Sequence, residues 1–329
     1  MTMSKFLPTF SDVYNHFKPL PYPATDCTGK TVIVTGANTG IGLEAARHFT
    51  RLNASKVILG CRNVTKGEAA KSSIEASTNR LGVVEVWPVD LGSFDSVKEF
   101  CRRADGLERL DILLENAGIS AGLGFEMLEG HETHITVNVI STFLMAFMLL
   151  PALRRTGSKY NTVPHLTVVS SGGHYYTDLE EVRSAPSVFD ELRKDHDMAM
   201  RYMVSKMLVV LVVRELATRT RASGKPQVII NTVNPGFCRT ELWRNAPLVV
   251  KAVTSFTALL ARSSEMGSRT TFCAGVAGEE THGRYLQNCE VWDESKWAQS
   301  PQGYEVQKKV FAELVDILDG TQPQVSENI

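Results

Sequence analysis

The sequence lacks the patterns that assign a chain to several large classes of protein. Its 329 residues include six cysteines, and none of them forms a CxxC pair or stands at a zinc-ligand spacing with histidines. Such a chain is expected to carry free thiols in a reducing compartment. The formal net charge of −1 gives no electrostatic footprint for nucleic acid or for an anionic membrane.

Long apolar runs are also missing. The longest strongly apolar stretches, residues 142–150 and 207–213, are far shorter than the roughly 20 residues that a membrane span needs. Residues 1–23 hold no apolar core flanked by basic residues, so a signal peptide is not expected. These absences predict a cytoplasmic protein with no integral membrane segment and no nucleic-acid partner.

What the sequence does contain is organised around the glycine-rich stretch 35–42. The β-branched residues 30–34 before it predict a buried strand, and residues 43–49 after it have the composition of a helix. A strand, a glycine turn and a helix present free backbone N–H groups and the positive end of a helix dipole to a phosphate. In this setting the glycines predict a dinucleotide-binding fold.

Strand patterns and helix patterns alternate along the rest of the chain. Further strands are predicted over 56–60, 83–89, 111–114, 163–169 and 227–233, and further helices over 64–81, 133–153 and 202–221. This alternation predicts an α/β fold with one Rossmann-type, doubly wound parallel sheet in a single domain. Ligands of such sheets bind at the carboxyl ends of the strands.

The segments outside this alternation are predicted to be peripheral. Residues 1–29 carry prolines and aromatic side chains, which favours an arm that packs on the surface of the domain at 30–320. Residues 321–329 are expected to form a flexible tail. The charged segment 178–197 is expected to be a solvated surface excursion whose ends could border the active-site pocket.

The end of the second strand bears on the choice of nicotinamide cofactor. An acidic residue there favours the 2′-hydroxyl of NAD, whereas an arginine accommodates the 2′-phosphate of NADP. The strand ends in Cys61-Arg62-Asn63, without an aspartate or glutamate. Arg62 therefore predicts NADP(H), and the competing interpretation is a solvated loop residue.

A tyrosine and a lysine four residues apart carry the chemistry. Tyr202 and Lys206 would lie on one face of a helix. A free phenol has a pKa of about 10, and a nearby ammonium lowers it by favouring the phenolate. Tyr202 could then donate a proton to a carbonyl oxygen or take one from an alcohol. Such pairs also arise by chance, but this one lies between the strand ends at 170–171 and 234–236.

Taken in order, these motifs resemble those of a classical short-chain dehydrogenase/reductase over about residues 30–245. The match comprises Thr35-Gly36-x-x-x-Gly40-x-Gly42, Asp90-Leu91, Asn116-Ala117-Gly118, Asn138, the serine, Tyr202-x-x-x-Lys206, and Pro235-Gly236 with Thr240. The strand end at Cys61-Arg62 and the long interval between Ser171 and Tyr202 are most similar to the retinol-dehydrogenase and WW-domain-oxidoreductase branch. The proline-rich lead-in and the tail around 292–318 resemble fungal members of that branch.

The resemblance implies a role for each motif. Tyr202 would be the general acid/base, and Lys206 would lower its pKa and bind the nicotinamide ribose. Ser171, in preference to Ser170, would hydrogen-bond the substrate oxygen. Asn138 would hold a helix bulge and a water that relays protons to Lys206. Together with Tyr202 and Lys206, the residues expected to bind NADP(H) are Gly36, Asn38, Thr39, Gly40, Ile41, Gly42, Arg62, Asp90, Leu91, Asn116, Ala117, Gly118, Pro235, Gly236 and Thr240.

Two positions depart from the family pattern. Ser141 stands where the family usually has glycine, and Glu115 replaces a common asparagine before Asn116. Neither change removes a reacting group, so both are interpreted as tolerated variation. His131 and His134 are three residues apart, but no partner pattern supports a metal site, so they are expected to be surface histidines.

The candidate substrate contacts are His174, Tyr175, Phe237 and Trp243. The first two follow the catalytic serine. The other two belong to a segment, about 237–265, that usually covers the substrate in such folds. Its apolar content favours a lipophilic carbonyl compound, with plain core packing as the competing interpretation.

The sequence therefore predicts an NADP(H)-dependent oxidoreductase that interconverts a ketone or aldehyde and its alcohol, reducing a lipophilic or secondary-metabolite carbonyl. One alternative is a non-catalytic NADP-binding sensor or scaffold, and another is a double-bond reductase or epimerase on the same fold. The apolar stretches 143–150 and 207–213 would either pack against the sheet or form the face of a homodimer.

Overall fold

A computed structural model describes residues 18–120, 124–195, 198–239 and 261–329. Ten strands lie in these ranges. They are β1 (Thr31–Thr35), β2 (Lys56–Cys61), β3 (Val84–Pro88), β4 (Ile112–Glu115), β5 (Met127–Leu128), β6 (His131–Glu132), β7 (His165–Val169), β8 (Ile229–Asn234), β9 (Tyr285–Gln287) and β10 (Glu290–Trp292). Eight of them form the central sheet, in the spatial order β3-β2-β1-β4-β7-β8-β9-β10, and β5 and β6 form a separate hairpin.

The central sheet is parallel except at one edge. Every neighbouring pair from β3 to β9 is parallel, and only β10 runs antiparallel to its neighbour β9. The predicted parallel, doubly wound sheet is therefore confirmed. The six predicted strands are all present, and the short strands β9 and β10 extend the sheet beyond them.

Eight α-helices surround the sheet in the described ranges. They are α1 (Gly40–Arg51), α2 (Val64–Thr78), α3 (Phe94–Asp105), α4 (Thr133–Tyr160), α5 (Val188–Leu192), α6 (Met198–Ala222), α7 (Ser264–Gly275) and α8 (Pro301–Thr321). Two short 3₁₀ turns matter below, Gly172–Tyr176 after β7 and Val325–Asn328 at the end of the chain.

Two hydrophobic cores lie on opposite faces of the sheet. Side chains alternate between the faces along a strand, and in β1 Ile33 belongs to one core while Val32 and Val34 belong to the other. The first core contains apolar side chains of α3, α4, α6 and α8, and the second contains those of α1, α2 and α7. This arrangement brings the carboxyl ends of the parallel strands to one edge of the domain.

The two apolar stretches of α4 and α6 both lie in the first core. Residues 207–213 are buried, as are all of 143–150 except the half-buried Met148. Phe311 of α8 lies 6.2 Å from Phe147, measured between ring centroids. α4 is long and apolar enough to cross a membrane, but 89% of its most apolar window is buried inside the domain, as in a core helix.

The segment 178–195 is docked on the domain. Leu179, Val182, Val188, Phe189 and Leu192 are buried and belong to the first core. The prediction of a solvated surface excursion is therefore wrong for these residues. Several of its charged side chains lie on the outer side, for example in the ion pair of Arg193 with Asp190. This charged composition obscured the apolar residues that pack inward.

Both ends of the described chain lie against the domain. Near the start, Leu20 is buried and the ring of Tyr22 lies 4.1 Å from the Arg51 guanidinium. At the other end, Val325 is buried and Asn328 Nδ2 donates to Phe147 O at 3.2 Å. The final residues thus pack on α4, which differs from the flexible tail expected over 321–329.

Candidate active site

The glycine turn between β1 and α1 is fixed against the end of β4. Gly36 and Gly40 have φ angles of +66° and +61°, in the region where a side chain is strained. A Cβ on Gly36 would lie 2.9 Å from Ala117 Cα. Asn116 Nδ2 donates to Thr35 O at 2.9 Å. The residues after β4 therefore hold the glycine turn close to the end of that strand.

The N-terminus of α1 fits an anionic group. Its N-cap, Thr39, makes no side-chain capping hydrogen bond, and the first turn contains no acidic residue. Backbone N–H groups and the positive helix end therefore face outward together, between the half-exposed residues 38–41. A cofactor pyrophosphate matches this donor set.

The ends of β2 and β3 lie beside the turn on the neighbouring strands. Arg62 is exposed directly after β2, and its guanidinium has no hydrogen-bond or ion-pair partner within the described ranges. Asp90 Oδ1 accepts a hydrogen bond from Gly92 N at 2.9 Å, which shapes the loop after β3. Arg62 is thus free to meet a phosphate on this side.

Asn138 lies in a π-helical turn of α4, Thr136–Ile140. Its Oδ1 accepts from Ile119 N at 2.8 Å, and its Nδ2 donates to Ile119 O at 2.9 Å and to Ser205 Oγ at 3.0 Å. π-turns inside α-helices occur frequently at functional sites. The turn directs this amide at the backbone after Gly118 and at α6.

The two departures from the family pattern have different surroundings. Ser141 Oγ donates to Leu91 O at 2.6 Å, so this buried serine ties α4 to the loop after β3. Glu115 is buried beside Cys101, and neither of its carboxylate oxygens has a partner among the described residues. Burial raises the pKa of Glu115 well above its usual range, so the carboxyl is protonated in the folded protein.

Glu115→Gln is expected to remove a pH-dependent loss of stability. Glu115 favours the folded state fully below the unfolded carboxyl pKa of about 4.3, and this stability is lost at about 1.4 kcal/mol per pH unit as the pH rises toward the folded pKa. In urea unfolding, the unfolding free energy of the variant should therefore rise relative to that of the wild type as the pH increases above the unfolded carboxyl pKa of about 4.3. A difference in unfolding free energy that does not change with pH would contradict a neutral Glu115.

The serine, tyrosine and lysine converge between β7 and α6. Ser171 and Tyr202 are joined by a side-chain hydrogen bond, and Ser171 Oγ also accepts from Gly173 N at 3.0 Å. Ser170 points the other way and donates to Lys206 O at 3.0 Å. Of the two serines, Ser171 is the one placed beside the tyrosine.

Lys206 is anchored at the end of β7. Its Nζ donates to Val169 O at 2.9 Å and lies 5.8 Å from the centroid of the Tyr202 ring. A Cβ on Gly118 would lie 3.4 Å from this Nζ, so the small residue after β4 leaves room in front of the ammonium. The side chain is buried, and burial lowers the pKa of Lys206 to about 8.

The protonation of Tyr202 differs from the sequence argument. Burial raises the pKa of Tyr202 above its ordinary value, while the hydrogen bond from Ser171 acts in the opposite direction. The expected lowering by Lys206 does not dominate, because the ammonium is some distance from the ring and is bonded to Val169 O. In this arrangement Tyr202 is a protonated phenol at neutral pH.

Ser205 joins this group, although sequence reasoning did not select it. Ser205 Oγ donates to Tyr202 O at 2.7 Å and accepts from Asn138 Nδ2 at 3.0 Å. It therefore connects α4 to the turn of α6 that carries the tyrosine. The available signal was its place directly before Lys206 in the Tyr-x-x-Ser-Lys sequence.

The predicted substrate contacts have different outcomes. His174 is wholly buried, its Nδ1 lies 2.8 Å from Ser171 O and its ring is 4.6 Å from that of Tyr285. The expectation that His174 lines the entrance is therefore not met. Tyr175 and Phe237 are 40% and 42% exposed. Trp243, Thr240 and most of the segment 237–265 lie outside the described residues.

The turn after β8 lies at the edge of the sheet where the parallel strands end. Gly236 has a φ angle of +84°, and its N–H donates to Asn234 Oδ1 at 2.9 Å. A Cβ on Gly236 would lie 3.0 Å from Arg262 Nη1. The buried Pro235 and this glycine thus bring the backbone after β8 to the same edge as Ser171.

His131 and His134 are not surface residues, so that expectation is wrong. His134 Nδ1 lies 2.7 Å from Glu132 Oε1, and both side chains are buried. His131 packs on Phe189 and its Nε2 lies 3.3 Å from Arg193 Nη2. No group of three or more metal-ligating side chains occurs in the ranges that the structure describes.

Comparisons with known proteins agree with this architecture. A family model described as short chain dehydrogenase matches residues 30–173. The short chain dehydrogenase/reductase dmxR8 of Cryptosporiopsis sp. is 42% identical over 320 residues, covering 95% of this chain and 97% of that protein. The short chain dehydrogenase atnD of Emericella nidulans is 45% identical over 280 residues, covering 83% and 88%.

Solved structures share the fold at lower identity. An uncharacterised protein from Mycobacterium paratuberculosis superposes with a TM-score of 0.66 at 24% identity, covering 91% of this chain and 96% of its own. A short chain dehydrogenase from Shigella flexneri, solved in complex with NADP, gives a TM-score of 0.58 at 21% identity, covering 81% and 100%. With its sheet, its motifs and its fungal relatives, the chain belongs to the short-chain dehydrogenase/reductase family.

Proposed function

We propose that this oxidoreductase uses NADPH to reduce a ketone or aldehyde to its alcohol. The observation that carries the proposal is the convergence of Ser171, Tyr202 and Lys206 at the strand ends that also hold the glycine turn. One edge of the sheet thus offers an anion site, a proton donor and a cation. A carbonyl reduction needs all three.

Tyr202, Ser171 and Lys206 have different roles in the transfer of the proton. Tyr202 donates its phenolic proton to the substrate oxygen, and Ser171 holds that oxygen by a hydrogen bond. Lys206, protonated below its pKa of about 8, stabilises the phenolate that remains. Asn138 and Ser205 position the helix turn that carries the tyrosine. NADPH supplies the hydride when bound.

We propose reduction as the direction, because a reducing compartment favours reactions driven by NADPH. In this direction Tyr202 donates its proton, and burial, which raises the pKa of Tyr202, is consistent with a phenol that is protonated at neutral pH. The free thiols of the described cysteines are consistent with a reducing compartment, and we propose a cytoplasmic location on that ground.

The residues at the anion site fit NADP(H). The uncapped start of α1 suits the pyrophosphate, and Arg62, which is exposed and has no partner among the described residues, suits the 2′-phosphate. The Shigella neighbour in complex with NADP supports this choice by analogy. A lipophilic or secondary-metabolite carbonyl is proposed as substrate, because the exposed Phe237 follows the β8 turn and the relatives are fungal.

Arg62→Ala is expected to weaken NADPH binding roughly tenfold to a hundredfold, the worth of a charge-assisted contact. NADH lacks the 2′-phosphate, so its affinity should stay almost unchanged. Fluorescence titration of both cofactors measures the two dissociation constants, with Arg62→Lys as an intermediate case. Equal losses for NADPH and NADH would refute the role given to Arg62.

The overall proposal is tested by following NADPH oxidation with a panel of ketones, aldehydes and enones. Turnover of a ketone or aldehyde supports it, and turnover of enones alone favours the double-bond reductase instead. Tight NADPH binding without turnover of any panel member, or epimerisation without net NADPH consumption, would favour the sensor or the epimerase. We rank the sensor lower because Asn138, Ser171, Tyr202 and Lys206 are all present.

A further inference from the structure

The buried guanidinium of Arg201 has no role in the reaction proposed above. Arg201 directly precedes Tyr202 near the start of α6, and its side chain has no exposed surface. Burying a cation costs several kcal/mol unless hydrogen bonds and opposite charge compensate it. The contacts of Arg201 therefore show what this residue holds in place.

The polar contacts that Arg201 makes with described residues belong to the segment 178–195. Arg201 Nη1 donates to Leu192 O at 3.1 Å, and Nη2 donates to Lys194 O at 3.2 Å. Nη1 also lies 3.7 Å from Glu181 Oε1. Leu192 is the last residue of α5, so the guanidinium satisfies a carbonyl oxygen that has no partner within this helix.

The opposite end of α5 is held by a carboxylate from α8. Glu313 Oε1 accepts from Val188 N at 3.0 Å, and its Oε2 accepts from Phe189 N at 3.0 Å. The hydroxyl of Ser187, the N-cap, also donates to Glu313 Oε2 at 3.0 Å. A negative charge at a helix N-terminus with three donors is a strong and directional contact.

We propose, on the basis of the proposed function, that Glu313 and Arg201 are positioning residues for Tyr202. They hold α5 at both ends, so that α8, α5 and the start of α6 form one rigid support behind the proton donor. The buried side chains of Val188, Phe189 and Leu192 fill the space between. The C-terminal helix thus acts on the reaction without touching the substrate.

Glu313→Gln tests the support at its far end. The amide replaces one acceptor oxygen by a donor facing a backbone N–H, so α5 should loosen. A displacement of the tyrosine by a fraction of an ångström is expected to lower kcat by about tenfold or more, with KM for NADPH little changed. Glu305→Gln is the matched control, because Glu305 is exposed on the same helix and makes no hydrogen bond to another described residue.

Hydrogen exchange gives a readout that does not depend on turnover. Peptides covering 186–195 and the start of α6 should exchange faster in Glu313→Gln than in the wild type or Glu305→Gln. An absence of carbonyl reduction by the wild type would refute the proposed function, but hydrogen exchange would still test whether Glu313 and Arg201 hold α5 and α6 in place. Unchanged exchange at the start of α6 in Glu313→Gln would refute that positioning role.

A double-mutant cycle of Glu313→Gln and Arg201→Lys tests whether the two residues act through the same helix, α5. If both residues act through α5, releasing either end loosens the same helix, and the double variant should lose little more kcat than the worse single variant. Losses of kcat that multiply fully, or a rise in KM with kcat unchanged, would contradict the proposal.

Discussion

Tyr202→Phe is expected to lose roughly 10²–10⁴-fold in kcat for carbonyl reduction, the usual worth of a positioned general acid. The substitution removes one oxygen atom, the atom that is hydrogen-bonded to Ser171. Because the ring is retained, packing near Met203 and Gly173 should persist. NADPH affinity is therefore expected to stay near the wild-type value.

The control for this variant is Tyr160→Phe. Tyr160 also carries a phenol, but it ends α4, more than five turns from Asn138, and its hydroxyl donates to Glu108 Oε1 at 3.0 Å. Loss of that hydroxyl should leave kcat within a few-fold of the wild type. Equal turnover by Tyr202→Phe and the wild type would remove Tyr202 from the chemistry.

Lys206→Met should reduce kcat/KM by roughly a hundredfold or more, because it removes the cation that stabilises developing charge in a buried site. The ammonium has one protein partner among the described hydrogen bonds, Val169 O at 2.9 Å. A methionine fills the same space without a charge. We therefore expect kcat/KM to fall while the free energy of unfolding stays close to the wild-type value. Urea unfolding of the variant measures that free energy.

The pH profile separates an electrostatic role for Lys206 from a packing role. Burial lowers the pKa of Lys206 to about 8, so the charged form predominates below that pH and is lost above it. For reduction, kcat/KM of the wild type should fall as the pH rises through about 8, since this constant follows the groups of the free enzyme. The limb should be absent in Lys206→Met; its persistence there would assign it to another group.

The sheet and the order of the motifs could be predicted from the sequence because each depends on local patterns. Runs of β-branched residues predict the long parallel strands, and the glycine turn predicts the first connection from strand to helix. β9 and β10 escaped prediction because each has only three residues, too few for a periodic signal. β9 pairs with β8 and β10 pairs with β9, and the pairing of β9 with a distant strand leaves no local pattern in the sequence.

Long-range polar contacts explain the other differences. Segment 178–195 appeared solvated because its composition is charged. One end of α5 is held by Glu313, which is far away in sequence, and the other by Arg201, which follows the segment on the next helix. His174 followed the serine in sequence and was expected at the entrance, yet it turns inward onto Tyr285. Residue order places a side chain on an element, but packing decides which way it faces.

The protonation of Tyr202 shows the same limit at the site itself. Spacing placed Lys206 on the same helix face, and charge alone then predicted a lowered phenol pKa. Burial of the phenol is a tertiary effect, and it raises the pKa of Tyr202 instead. We therefore propose that Tyr202 acts as the general acid of a reduction rather than as the general base of an oxidation.

The most direct test of hydride transfer to a carbonyl uses NADPH deuterated at the transferable position of its nicotinamide. The purified protein is incubated with the best carbonyl of the panel, and the product is analysed by mass spectrometry and NMR. The account predicts one deuterium on the carbon that bears the new hydroxyl group, formed by the wild type and almost absent with Tyr202→Phe. Deuterium on a carbon of a reduced double bond, or a product without deuterium, would contradict it.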